Sequence, residues 1–149
     1  MCGTTPPPSE KPGEDPELGS IIIVVATNAP LSPDQLKRMV RRVALGLGRM
    51  GSINGNGSGD IFLAFSTANR GVDRGNSGRS TLPPPTMQRL GSGLMDPLFT
   101  ATVEATEEAI VNAMLAAENM DGADYRRSWA LPHDQVRAIL KKYNRLTAP

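Results

Sequence analysis

Ser20 stands between a glycine and a β-branched run, in Gly19-Ser20-Ile21-Ile22-Ile23-Val24-Val25-Ala26. Six apolar residues follow it and the first five are β-branched, the composition of a strand buried on both faces. The residues ahead of it are mostly Pro, Gly, Ser, Glu and Lys. A hydroxyl at such a junction is held at the mouth of a core. If the Gly19–Ser20 bond were cut, Ser20 would carry a hydroxyl and a free α-amine together. An α-amine titrates at about 7.7–8.0, so one residue would supply both nucleophile and base. The alternative is that Ser20 simply opens a strand, and these eight residues do not separate the two.

A second polar group lies downstream. Gly51-Ser52-Ile53-Asn54-Gly55-Asn56-Gly57-Ser58-Gly59-Asp60 has four glycines in ten residues. That many glycines let a backbone turn sharply or come close to something. The stretch lacks the Lys-[Ser/Thr] of a phosphate-binding P-loop. Ile61-Phe62-Leu63-Ala64-Phe65-Ser66 follows directly, a second buried strand. If the two strands are parallel neighbours, Ser20, Ser58 and Asp60 meet at one edge of the sheet. The alternative is a glycine-rich connection with a surface carboxylate.

Composition narrows the chemistry. The chain has 149 residues, 39% hydrophobic and only 4% aromatic, enough for one mostly aliphatic core. A net charge of +1 gives no reason to expect nucleic acid or an anionic membrane as partner. The apolar runs are too short to span a bilayer, and residues 1–8 lack the pattern of a secretory signal. A cytoplasmic location is the expectation. Cys2 is the one cysteine and His133 the one histidine, so neither an internal disulfide nor a metal site is expected. No cofactor is expected either. A Ser-His-Asp triad would have to use His133, so an enzyme here needs another base.

The remaining elements must position those groups. Residues 1–19, rich in proline, suggest a disordered stub or linker, and residues 20–149 one domain. Ser32-Pro33-Asp34-Gln35 opens a helix, with Ser as N-cap, Pro at the first position and Gln as capping-box partner. Leu36, Met39, Val40, Val43 and Leu47 make its apolar stripe, and Lys37, Arg38, Arg41 and Arg42 its solvated face. Gly46-Leu47-Gly48-Arg49-Met50-Gly51 matches G-x-G-x-x-G in letters. It closes a helix instead of opening one, so it predicts a helix end and not a dinucleotide site. Residues 67–94 suggest a lid or a packing arm. Asp96-Pro97 opens a long helix to about Asn119, with Thr106 on its apolar stripe and Glu104, Glu107, Glu108 and Glu118 facing solvent. A last helix runs from Gln135 to about Tyr143, with Val136, Ile139 and Leu140 inward. His133 just before it suits a capping or surface role.

Several stretches resemble the β-aminopeptidases, also described as L-aminopeptidase/D-amidase-esterases. They are Gly19 to Leu31, Gln35-Leu36-Lys37-Arg38, and Gly57-Ser58-Gly59-Asp60-Ile61-Phe62-Leu63-Ala64-Phe65-Ser66-Thr67. The likeness continues through Asp96-Pro97-Leu98-Phe99, Ala105-Thr106-Glu107-Glu108-Ala109-Ile110 and Leu131-Pro132-His133-Asp134. It implies an α/β fold, half of an αββα sandwich like that of the N-terminal-nucleophile hydrolases. It implies self-cleavage at Gly19–Ser20, with Ser20 as nucleophile and Ser58 and Asp60 as its polar partners. The implied substrate is a short peptide or an amino-acyl amide. Family members are expected to form oligomers. They carry a long segment ahead of the cleavage point, which holds an oxyanion-hole asparagine and much of the pocket. Here a proline-rich stretch precedes Ser20, so the resemblance is to the β-subunit half and implies an α-subunit-like segment as partner. Two function classes follow: an aminopeptidase subunit, or a non-catalytic remnant or interaction module with the same half-fold.

Overall fold

The structure is a computed structural model and describes residues 19–70, 72, 86–123 and 127–146. The proline-rich segment 1–18 and most of the expected lid, including Pro83–Pro85, lie outside the described residues. The chain divides into two units, residues up to 107 and residues from 108 onward, apart from its first residues.

The first unit is built on two parallel strands, β1 (Ile22–Thr27) and β2 (Ile61–Ser66), with Ile22 opposite Ile61 and Thr27 opposite Ser66. Parallel neighbours need a crossover between them. Here it consists of α1 (Pro33–Val40), α2 (Val43–Arg49) and the glycine-rich loop. A 3₁₀ turn (Ser92–Leu94) leads into α3 (Met95–Ala116), whose residues to Glu107 belong to this unit. Helix α1 packs on β2. Leu31, Met39 and Met95 form the core, with Val25, Ala64, Leu98 and Phe99 packed against them.

Both strands were expected to be buried on both faces, and they are not. Burial alternates along each strand. Ile23, Val25, Phe62 and Ala64 are half-buried on one face. On the other, Ile22 is 68% exposed, Val24 55%, Ile61 51%, Leu63 54% and Phe65 48%. The register sets these five on one side, so the sheet has a helix-covered face and a bare apolar face.

The single helix expected from Ser32 to Leu47 is two. Arg42 N–H donates to Met39 O, three residues back, instead of to Arg38 O. The Arg38 carbonyl instead accepts the Arg42 guanidinium at 2.7 Å, and that guanidinium lies 3.8 Å over the Phe99 ring. A side chain has thus taken the carbonyl that would have continued the helix. The G-x-G-x-x-G stretch ends α2 as expected. Gly51 has φ +100°, its N–H donates to Gly48 O, and Ser52 N–H donates to Leu47 O, the paired bonds of a Schellman end. Gly46 has a separate reason to be glycine: a Cβ there would lie 2.7 Å from Thr106 Cβ and from Val103 O. Helices α2 and α3 cross in close contact at that point. Thr106 is buried as expected, its hydroxyl donating to Thr102 O. Glu107 is not simply solvated, since it pairs with Arg49 at 2.8 Å.

The predicted capping box is present. Gln35 Oε1 accepts Ser32 N–H at 3.1 Å. The side chain also reaches across the unit, its Nε2 donating to Leu90 O at 2.7 Å. Leu90 N–H donates to Pro30 O. Where 67–94 is described, Leu90 packs against the core, and within the segment Asn69 and Gln88 exchange two hydrogen bonds, of 3.0 and 2.9 Å. Ser32 also donates to Asp34, and that bond with the nearby Arg89 charge holds the Asp34 carboxyl below the usual carboxylate range.

In the second unit β3 (Met120–Asp121) and β4 (Arg127–Ser128) pair antiparallel, and α4 runs His133–Lys142. Ile139 was expected inward and is 55% exposed.

Gln35 is fully buried, so replacing it strands polar backbone. Gln35→Leu should destabilise the chain by about 1–3 kcal/mol through the groups left unpaired. Urea unfolding followed by circular dichroism checks this, and an unchanged midpoint would contradict it.

Candidate active site

The register that pairs Ile22 with Ile61 sets Ser20 opposite Gly59, and Ile21 opposite Asp60. In a parallel ladder each bonded residue donates to one neighbour and accepts from the next but one. Ile61 N–H to Ile21 O and Thr67 N–H to Thr27 O follow that rule, at 2.9 and 3.0 Å. One step further back the rule changes. Gly59 N–H donates to Ser20 Oγ at 2.9 Å, and Ile21 N–H donates to Asp60 Oδ1 at 3.1 Å. Continued regularly, the ladder would give these donors the carbonyls of Gly19 and Gly59. Two side-chain oxygens have replaced two carbonyls, and both belong to residues singled out from the sequence.

The mouth of the sheet opens into a cavity of about 180 Å³ lined by Gly19, Ser20, Ile21, Leu47, Ser52, Ser58 and Asp60. The expected meeting of Ser20, Ser58 and Asp60 at one edge therefore occurs. They come from opposite faces. Alternation carried back from β1 puts Ser20 on the bare apolar side; carried back from β2 it puts Ser58 and Asp60 on the helix-covered side. The cavity wraps the end of the sheet between them. His133 lies in the second unit, in α4.

Sequence reasoning missed three contributors. Leu47 was read only as core, though it also forms a wall of the cavity. Ser52 was read as part of a loop. Its position directly after the Gly51 helix end was the available signal, since the Schellman bond to Leu47 O fixes it beside that wall. Ser52 Oγ accepts Asn54 N–H at 3.1 Å, and Asn54 has φ +50°, a left-handed conformation that asparagine tolerates better than most residues. Gly59 is the third. A Cβ there would sit 3.2 Å from Ser20 Oγ.

Residues 4–128 match Peptidase family S58. The chain belongs to that family. Among S58 relatives, a β-peptidyl aminopeptidase BapA from Sphingosinicella microcystinivorans is 46% identical over 146 residues, 98% of this chain and 36% of the relative. A BapA from Sphingosinicella xenopeptidilytica is 44% identical over 129 residues, 87% and 31% of the two chains. Among solved structures, the L-aminopeptidase D-Ala-esterase/amidase of Ochrobactrum anthropi superposes with TM-score 0.73 at 44% identity. It covers 86% of this chain and 35% of its own, and is described as a variant of the Ntn hydrolase fold. A Burkholderia sp. β-aminopeptidase gives TM-score 0.75 at 35% identity, over 91% and 37%. The S58 chain thus has the α/β architecture of part of an Ntn hydrolase fold, and it spans about a third of the length of these relatives. Among the described residues no helix is long and apolar enough to cross a membrane.

The Asp60 bond ties the start of β1 to β2, so its loss should show in Ile21 before anything else. In Asp60→Ala the Ile21 amide should exchange with solvent at least about tenfold faster, as expected for losing a bond to a charged acceptor worth about 1.5–3 kcal/mol. The Thr27 end of the sheet should hold its rate. Equal protection of Ile21 in both proteins, measured by hydrogen exchange and mass spectrometry, would contradict the bond.

Proposed function

We propose that this chain is the β-subunit-like part, residues 20–149, of an S58 aminopeptidase or amidase. Its Ser20, freed by cleavage at Gly19–Ser20, is the nucleophile. The observation that carries the reading is the sheet mouth, where Ser20, Ser58 and Asp60 share one cavity. In the proposed reaction the Ser20 hydroxyl attacks the acyl carbon of an N-terminal amino-acyl amide. The Ser20 α-amine takes the proton and returns it to the leaving amine. Water then releases the acyl group from the ester. Ser58 and Asp60 hold the polar side of the cavity, where a hydroxyl and a carboxylate can orient the α-amine and the attacking oxygen. For the initial cleavage, before the amine exists, the Asp60 carboxylate is the base within the cavity.

The bare apolar face supports a second element of the proposal. A row of exposed Ile22, Val24, Ile61, Leu63 and Phe65 on two edge strands demands a cover, and Ser20 belongs to the same side. A segment lying on that face also closes over Ser20. We assign this role to an α-subunit-like segment corresponding to the remaining length of the relatives, which would supply oxyanion donors and the rest of the acyl pocket. The substrate class is a short peptide or an amino-acyl amide. The 149 residues by themselves should then release little p-nitroaniline from small amino-acyl p-nitroanilides.

In a complex reconstituted with the upstream segment of a relative, turnover should appear and Ser20→Ala should abolish it. Ser58→Ala and Asp60→Asn should each lower turnover at least about tenfold, the low end for a group that moves or orients a proton, with little change in melting temperature. Robust turnover by the isolated chain would overturn the partner requirement. Full activity in both the Ser58 and Asp60 variants would reduce their loop to a connection.

A further inference from the structure

We infer that the Gly59 backbone N–H is a shared donor, resting on the Ser20 hydroxyl before cleavage and moving to the Gly19 oxyanion during it. The inference rests on the reading of Ser20 as the group that attacks Gly19, and deepens it by naming where the developing charge is met.

Ile61 N–H bonds Ile21 O and Thr67 N–H bonds Thr27 O, each donor forty residues beyond its acceptor. The same offset assigns Gly59 N–H to the Gly19 carbonyl, which is the carbonyl that cleavage would attack. In the uncleaved chain this N–H instead donates to Ser20 Oγ at 2.9 Å. The two possible acceptors of one donor are therefore the attacking oxygen and the oxygen of the bond it attacks.

The chemistry transfers the donor from one to the other. As the Oγ–carbon bond forms, the Gly19 carbonyl π pair moves onto its oxygen, and the hydroxyl proton passes across the cavity that both groups line to the Asp60 carboxylate. Oγ is becoming an ester oxygen, a poor acceptor, while the Gly19 oxygen takes a full negative charge. Collapse breaks the bond from the Gly19 carbon to the Ser20 nitrogen, which leaves with the proton. An ester between Gly19 and Ser20 Oγ remains for water to hydrolyse. A donor placed where charge develops is the arrangement that lowers such barriers most.

Residue 59 must also be small. Gly59 and Ser20 stand opposite each other on the same side of the sheet, and a Cβ at 59 would press on Oγ at 3.2 Å, tighter than ordinary contact. Glycine here keeps the hydroxyl in reach of its own N–H.

The contact and the role are tested separately. In the ¹⁵N-labelled 149-residue chain, Ser20→Ala should shift the Gly59 amide proton and speed its exchange at least about tenfold, leaving Thr67 unchanged. Identical Gly59 signals in both proteins would overturn the inference. In the reconstituted complex, replacing the Ser58–Gly59 amide by an ester removes that donor and leaves the Ser58 carbonyl as a weaker acceptor. Cleavage at Gly19–Ser20 should then slow about 10²–10³-fold, the range for one lost oxyanion donor. Gly59→Ala keeps the N–H and crowds Oγ; it should slow cleavage at least about tenfold with an otherwise unchanged amide spectrum. Wild-type cleavage rates in the folded ester variant would overturn the inference while leaving Ser20 as nucleophile. A wild-type complex that never cleaves would overturn the nucleophile reading itself, and the donor's role with it.

Discussion

Six parallel rungs lock Ile22–Thr27 against Ile61–Ser66, and every feature of the candidate site follows from that register. A slip of one residue would turn each strand's apolar set to the other face. It would also set Ser20 against Ser58 or Asp60 instead of Gly59, and Ile21 would lose its carboxylate. The crossover keeps the register. Its helices bury Met39 and, with the chain before and after them, Leu31 and Met95, on one side of the two strands. Gln35 ties the start of α1 to the segment ahead of α3. The site is thus the loose end of a well-fixed ladder, where side-chain oxygens take over from carbonyls.

The same sheet explains why this chain points beyond itself. One face is covered by helices and the other presents five large apolar side chains to solvent. Covering that face would remove apolar surface from water at roughly 25 cal/mol per Å², a driving force for association. Because Ser20 shares that side, the proposed covering segment and the proposed catalytic surroundings are one structure. The relatives, of which this chain spans about a third, have the length to provide it.

Much of this was legible in the residues. The β-branched run, the glycine-rich approach and the second apolar run placed Ser20, Ser58 and Asp60 at strand mouths, and parallel pairing brought them together. The Ser32–Gln35 capping box and the helix-closing role of Gly51 are local chemistry, and local chemistry is readable. What escaped depended on distant contacts. The break between α1 and α2 comes from Arg42 choosing Phe99 and the Arg38 carbonyl, neither visible in periodicity. Gly46 is dictated by Thr106 and Val103, sixty residues away or nearly so. The apolar strands announced burial on both faces because composition records what a strand is suited to meet, whereas the described residues cover only one side. Gly59 looked like one flexible glycine among four, since its value lies in the hydroxyl across the ladder.

The proposed cleavage makes Ser20 a chain terminus, and the intact mass of the complex with an upstream S58 segment measures it directly. A product that begins at Ser20 is expected, absent when Ser20→Ala is used. A new terminus at any other bond, or a product beginning at residue 20 that persists in Ser20→Ala, would contradict it.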